Sequence, residues 1–485
     1  MMRWLSGLSG LSGLSYLLRH AGAALLVPLA ACSSAHYAIN PPLARVEPQQ
    51  GYRLQRFVAQ EPQDSLLLHV SFSGGGLRAA TLGLGVLDEL RATPIDWDGR
   101  QQRLFDQIDI VSGLSGGSML VGALAMGGEA GLAPFEAALL HGAAQSAFTR
   151  SLLAPATLWR LSSPHYGRSD AFEQFLDERL FHGTTFADLS ERPRKPFAVI
   201  FASDMVSGGR FEFVQEQFDF LCSDLGGVKL VRAVAASSAV PLLLSPVTFW
   251  NHVGDPRRPD CGAPLLRQAA SAQGAAANSR RLDELESYRE LESDGAAAGP
   301  RRPFIHVVDG GLDDNVSARG PTDYIGQFGG IVSSARFAGY GSLRRVVFIV
   351  VNAETSARAP EDRSARVPGP LRTALALADI PINRNSATAL DQMRATIQAW
   401  RLEVKQAQAR GEDTPFASDI AFHLIEVGLD AADPALAERL KAIPTTLQLP
   451  EADIAVLRQH ARQRLRASPQ FRAMLRSLQP ATAQE

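Results

Sequence analysis

A serine, an aspartate and a run of glycines are the residues whose types and spacing could do chemistry in this chain. Ser115 stands in Gly113-Leu114-Ser115-Gly116-Gly117, after the β-branched run Ile108–Val111 and before the small-residue apolar segment Ser118–Met126. Strand, tight turn, helix is the context in which G-x-S-x-G lifts a serine hydroxyl clear of a sheet, with flanking glycines relieving the strained turn. A helix starting there turns its positive end to the serine and favours negative charge. Asp309 closes the strand-like run Phe304–Val308 in Asp309-Gly310-Gly311, although Asp-Gly alone is a common turn signal. Gly74-Gly75-Gly76-Leu77-Arg78 follows the run Leu66–Phe72 and opens a helix. Successive glycine N–H groups at a helix start make an anion nest, suited to a phosphate or to the oxyanion of a tetrahedral intermediate. The spelling Gly74-x-Gly76-x-x-Ala79 also fits the loose dinucleotide fingerprint, which wants an acidic residue ending a second strand. Asp96 and Asp98 lie instead in what reads as a polar loop, Pro94–Gly99.

The elements that must position these residues alternate. Strands are expected at Leu66–Phe72, Ile108–Val111, Phe197–Ala202, Phe304–Val308, Arg345–Asn352 and Ile420–Val427. An amphipathic helix is expected up to about Ala92, on the spacing of Leu84, Leu87 and Leu90. Further helical stretches fall at about 130–180, Val231–Pro241, 371–411 and 451–478. This alternation predicts an α/β fold, a mostly parallel central sheet with helices on both faces. Each of the three candidate sites then sits at the C-terminal end of a strand. Between about Arg267 and Arg302 the composition turns to Ala, Gly, Ser, Arg and Glu, and a flexible surface insertion is expected at 267–302.

The chain is 46% apolar and 20% charged, which excludes fibrous and largely disordered classes. A formal net charge of −2 gives no electrostatic reason to expect nucleic acid. No C-x-x-C or H-E-x-x-H occurs, so neither a metal site nor a cofactor is expected. Cys222 and Cys261 are either one disulfide or two unrelated thiols. At the N-terminus, Arg3 and Arg19 precede an apolar run, Ala21–Ala31, too short to span a bilayer; it ends in Leu29-Ala30-Ala31-Cys32. That resembles a bacterial lipoprotein signal, residues 1–31, with Cys32 as the lipidated mature N-terminus. The resemblance implies a lipid-anchored protein of the cell envelope, and Ser33 after the cysteine favours the outer membrane, facing the periplasm. The alternative is an ordinary signal peptide with an incidental cysteine. No other apolar run reaches the roughly 18–20 residues of a spanning helix. Residues 32–64 read as a tether.

Taken together, the order of oxyanion glycines, serine in G-x-S-G-G and aspartate in D-G-G resembles the patatin-like phospholipase family. Ala235-Ala236-Ser237-Ser238-Ala239-Val240-Pro241 and Asn315 agree with it, and Ile443-Pro444-Thr445 looks like the bacterial lipoprotein-type members. The resemblance implies a three-layer α/β/α catalytic domain at 65–355 and a mostly helical C-terminal region at 356–485 packed on it. It implies Ser115 as nucleophile, Asp309 as general base, and Gly74, Gly75 and Gly76 as the oxyanion hole with Arg78 nearby. Gly113, Gly116, Gly117, Gly310, Gly311 and Asn315 support these motifs. The substrate implied is a lipid acyl ester. A serine hydroxyl is a weak nucleophile until a base takes its proton, and a lone carboxylate needs burial to serve as that base.

Rival readings remain. A Ser-Asp-His triad would need His306, His423 or His460. Of these, His423 reads as packed in a sheet and His460 as solvated among arginines. A general carboxylesterase or lipase, or a non-catalytic lipid-binding lipoprotein, would carry the same motifs. Arg458, Arg462, Arg464 and Arg466 make a basic amphipathic helix that either lies on a membrane or docks on the core. Phe148, Leu152, Leu153, Leu158 and Trp159 are candidates for an apolar rim that admits lipid.

Overall fold

The computed structural model describes residues 40–61, 64–191, 195–254, 261, 264–272, 280–292, 299–355, 365, 367 and 369–479. The signal segment 1–31, Cys32 and the first residues of the expected tether lie outside the described residues.

Among the described residues ten strands form: β1 Leu66–Phe72, β2 Pro94–Trp97, β3 Arg100–Arg103, β4 Ile108–Gly113, β5 Phe197–Asp204, β6 Arg210–Glu212, β7 Val247–Trp250, β8 Phe304–Asp309, β9 Leu343–Asn352 and β10 Phe416–Gly428. The helices that matter here are α1 Leu54–Val58, α2 Gly76–Ala92, α3 Gly116–Gly127, α4 Leu230–Ser237, α5 Arg319–Gln327, α6 Ile331–Ala338, α7 Pro370–Ala409, α8 Glu451–Ala467 and α9 Pro469–Leu478. The main sheet has eight strands in the order β10-β9-β1-β4-β5-β8-β7, with β6 paired to β5 off that path. Strands β10, β9, β1, β4 and β5 are mutually parallel, and β6, β8 and β7 add antiparallel pairings beyond β5. The fold is the expected α/β sheet, mostly parallel, between two helical layers.

Strand parity sets the layers. Leu66, Leu68, Val70 and Phe72 of β1 share one core with α2, α3, α4 and α8. On the other face Leu67 packs with α5, α6 and the second half of α7, through residues such as Val346, Phe348 and Trp400. Such runs, buried on both faces, are what a parallel sheet covered on two sides requires.

Several expectations are corrected. The Pro94–Gly99 loop is instead the hairpin β2–β3, with Trp97 opposite Arg100 and both Asp98 and Gly99 at positive φ. Asp-Gly is the signal for that two-residue turn. The helix α2 is not amphipathic: α8 covers its outer face, so closely that a methyl on Gly85 would meet the Arg458 carbonyl at 2.5 Å. Residues 40–58 are not a tether. Tyr52 is buried, with its hydroxyl exchanging hydrogen bonds with the backbone of Ala198 at 2.9 and 3.0 Å, and Phe57 and Val58 enter the core. The described part of 267–302 is not all surface insertion, because Leu282, Leu285 and Tyr288 are buried and Arg281 donates to Arg210 O at 2.6 Å. A few large side chains anchor both segments, which an average over composition hides.

The basic helix docks on the protein: Arg458 pairs with Asp88 and Glu136, and Arg466 with Glu89. Cys222 and Cys261 form a disulfide, Cα to Cα 5.4 Å. A further correction concerns apolar runs. Among the described residues one helical stretch, Gly116–Leu140, is long and apolar enough to cross a membrane. Its first half is α3, packed in the core against the sheet.

Candidate active site

Ser115 occupies a sharp turn between β4 and α3, at φ 50° and ψ −124°. For a residue with a Cβ this region costs about 1–3 kcal/mol and persists only where the surroundings enforce it. The enforcement is visible. The Ser115 N–H donates to Ser237 Oγ at 2.8 Å, and that hydroxyl donates to Phe201 O at 2.5 Å. Ser118 Oγ donates to Ser115 O at 2.6 Å. The glycines around it are there for space: a methyl on Gly117 would meet Phe72 O at 2.6 Å, and one on Gly116 would run into the Gly76 carbonyl. Gly113 is equally crowded, its missing methyl facing Val121 at 2.9 Å.

The Gly74–Gly76 loop lies against this turn. An added methyl on Gly74 would come within 3.5 Å of Ser115 Cβ. Gly75 and Gly76 hold φ of 132° and 59°. Their two N–H groups have no acceptor among the described residues, and they stand at the positive end of α2. The Gly74 N–H is different, since it donates to Asn315 O at 3.0 Å. Gly74 therefore shapes the loop while Gly75 and Gly76 supply the open donors, a correction to the expectation of three. Asn315 closes the far side, with its Oδ1 against both Gly74 and Gly311.

Asp309 ends β8, with its N–H held by Ala239 O at 3.0 Å and the next N–H, of Gly310, held by Ser237 O at 3.3 Å. Gly310 must be glycine because a methyl would meet Phe201 O at 2.6 Å. The carboxyl is buried. Its Oδ1 accepts from Gly311 N–H at 2.8 Å, and Oδ2 has no hydrogen-bond partner among the described residues. Burial pushes this carboxyl up to about 6, against smaller opposing effects of the Gly311 N–H and the Ser115 hydroxyl.

Arg78 lies against Gly75, as expected, but two of its nitrogens are taken by carbonyls. Its Nε donates to Ala353 O at 3.1 Å and its Nη1 to Ile443 O at 2.6 Å, so the buried guanidinium clamps two crossing loops beside Gly75. Burial without a carboxylate lowers its pKa to about 10. The clamp explains the Ile443-Pro444-Thr445 segment, which lies over Gly76 and takes the Leu77 N–H on Thr446 O at 2.9 Å.

Residues 70–320 match the family described as Patatin-like phospholipase. The chain belongs to the patatin-like phospholipase family. Solved structures similar to it include human GIVD cytosolic phospholipase A2, at 13% identity and a TM-score of 0.40, covering 88% of this chain and 62% of that one. The same enzyme in complex with methyl gamma-linolenyl fluorophosphonate gives 12% identity, a TM-score of 0.36, and coverage of 89% and 62%. This chain thus spans about 62% of the length of those structures. A search of curated proteins finds no match.

The three candidate histidines are engaged away from the serine and the aspartate. His306 bonds Thr248 Oγ1 at 2.9 Å, His423 bonds Ser477 Oγ at 3.2 Å, and His460 bonds Gly428 O at 2.9 Å. His460 is buried, not solvated as the surrounding arginines suggested. Ser237 is the residue whose role sequence reasoning missed. The A-A-S-S-A-V-P segment carried the signal, but only the fold shows that one hydroxyl ties the serine turn to β5 while its own carbonyl holds Gly310.

Proposed function

We propose that this chain is a lipid acyl hydrolase of the phospholipase A or lysophospholipase type, working through a Ser115–Asp309 dyad. The observation that carries the reading is the buried Asp309 Oδ2, unpartnered and raised toward neutrality, beside a serine held at positive φ. Asp309 takes the Ser115 proton as Oγ attacks the ester carbonyl. The Gly75 and Gly76 N–H groups receive the oxyanion, each such donor contributing ~3–4 kcal/mol in the transition state. The proton passes to the departing alcohol, leaving an acyl-serine. Water then attacks that ester, giving its proton to Asp309, and the fatty acid leaves as Ser115 recovers its hydrogen.

A lipid substrate is supported by large apolar side chains left exposed. Leu242 and Leu243 follow Ala239, the residue that holds the Asp309 N–H, and Leu153, Leu158 and Trp159 are also exposed. Phe148, expected in this rim, is buried instead. The N-terminal sequence supports a lipid anchor at Cys32 and an envelope location, which would hold this rim near a bilayer.

The test is fatty-acid release from mixed phospholipid vesicles by the full chain in detergent, beside Ser115→Ala and Asp309→Asn. Release lost in both folded variants is the expected result. Turnover of short acyl esters alone would move the substrate to a carboxylesterase type, and silence on both would favour a non-catalytic lipid-binding protein. Loss of activity in any one of His306→Ala, His423→Ala or His460→Ala, with the fold intact, would overturn the dyad.

A further inference from the structure

We propose that the cavity between the sheet and α5–α6, on the face away from α2 and α3, binds a single-chain lipid with an uncharged, hydrogen-bonding head group. This goes beyond the reaction above and does not rest on it, because the cavity contains neither Ser115 nor Asp309.

The space is built from named parts. Strands β1, β4, β5 and β9 form its floor, with Val199 and Phe348 among the contributors, and Ala335 and Ala338 of α6 form part of its roof. Its volume is about 120 Å³. The floor runs from Phe197 to Phe201, ~13 Å along a strand, and from β9 to β5, ~14 Å across three strand spacings. The lining is almost wholly aliphatic and aromatic. A void of this kind forfeits contacts for every wall atom and is costly unless something fills it.

Two polar groups inside indicate what fills it. Tyr324 and Tyr340 both line the cavity, and their hydroxyl oxygens are buried with no hydrogen-bond partner among the described residues. An unsatisfied buried hydroxyl costs about 1–3 kcal/mol, so two in one apolar chamber call for a partner that enters with the ligand. Mostly apolar walls with a few convergent polar groups are the usual make-up of a small-molecule site. The other polar lining excludes some ligands. His69 Nε2 and Ser112 Oγ satisfy one another at 2.8 Å. Glu212 and Glu216 also line the cavity, and each already shares the cation beside it: Arg210 pairs with Glu212 at 2.7 Å, and Arg53 lies 3.7 Å from Glu216 while pairing with Asp219 at 2.9 Å. A fatty carboxylate would have to compete with these carboxylates for the same arginines. A hydroxyl or ester carbonyl on an aliphatic chain meets the tyrosines at no such cost.

Calorimetric titration of the full chain with 1-decanol, which has no bond for the enzyme to cleave, tests this. One mole should bind per mole of protein, with the negative heat-capacity change of apolar burial. Decanoate should bind at least about tenfold more weakly. Ala335→Phe, which fills the cavity, should abolish binding while leaving ester turnover unchanged. The pair Tyr324→Phe with Tyr340→Phe should weaken decanol about tenfold, and losing two unpartnered hydroxyls leaves the fold intact should Ala335→Phe prove unstable. The proposal is overturned if decanol does not bind, or if it binds a folded Ala335→Phe protein or the tyrosine pair as it binds the parent. Decanoate binding as tightly as decanol would overturn the uncharged head group.

Discussion

Replacing Asp309 by Asn should destroy turnover and, above pH 6, make the protein more stable. Burial raises this carboxyl from 3.8 in the reference state to about 6 in the fold, so the folded chain holds the proton about two pH units more tightly than the unfolded one. Near pH 3 both states are largely protonated and the site costs little. Between about pH 4 and 6 the unfolded chain ionises this group while the folded chain keeps it protonated, so the penalty grows across that window and levels off at about 3 kcal/mol above pH 6, at 1.36 kcal/mol per unit. Asparagine keeps the Oδ1 acceptor for the Gly311 N–H and carries no charge to bury. Urea unfolding of parent and variant, followed by tryptophan fluorescence from pH 3 to 8, measures the difference. The two should unfold most alike near pH 3, and the variant should gain up to about 3 kcal/mol by pH 7.5, most of it between about pH 4 and 6, with unchanged m-values. Turnover by the parent should rise with pH about an inflection near 6. A stability difference that is flat with pH, or a variant weaker throughout, would refute the claim that ionised Asp309 is held at a cost.

Three further outcomes follow from the geometry. Ser237→Ala removes the acceptor of the Ser115 N–H; because misplacing a nucleophile by about 1 Å can cost about 100-fold, kcat should fall far more than thermal stability, as steady-state kinetics and calorimetry would measure together. Arg78→Met leaves the Ala353 and Ile443 carbonyls without their donor, at about 1–3 kcal/mol for each, and should lower Tm and loosen the loop over Gly76, with raised amide exchange at Leu77. Cys32→Ser should move the protein from the membrane fraction to the soluble periplasmic fraction; continued membrane retention would refute the lipid anchor.

The backbone frame of the candidate site is legible where local sequence specifies it. Leu66–Phe72 is a continuous apolar run that ends in glycines, and it forms β1 over that same range. Glycines at 116, 117 and 310 mark places where another backbone passes too close for a methyl, and that demand is written in the residue type. What stayed hidden depends on partners distant in the chain. Arg78 is adjacent to an oxyanion loop in sequence, which suggests an anion; it is held by carbonyls 275 and 365 residues away, which makes it a clamp. Tyr52, Leu282 and His460 sit in polar or small-residue surroundings, and averaging over neighbours assigned them to solvent. Each is buried because one distant group meets it or a core surface covers it: Ala198 for Tyr52, Gly428 for His460, the hydrophobic core for Leu282. The same asymmetry explains Asp309. Its position at a strand end could be read, but its raised pKa arises from burial by segments distant in the chain, and burial of that kind has no counterpart in a motif.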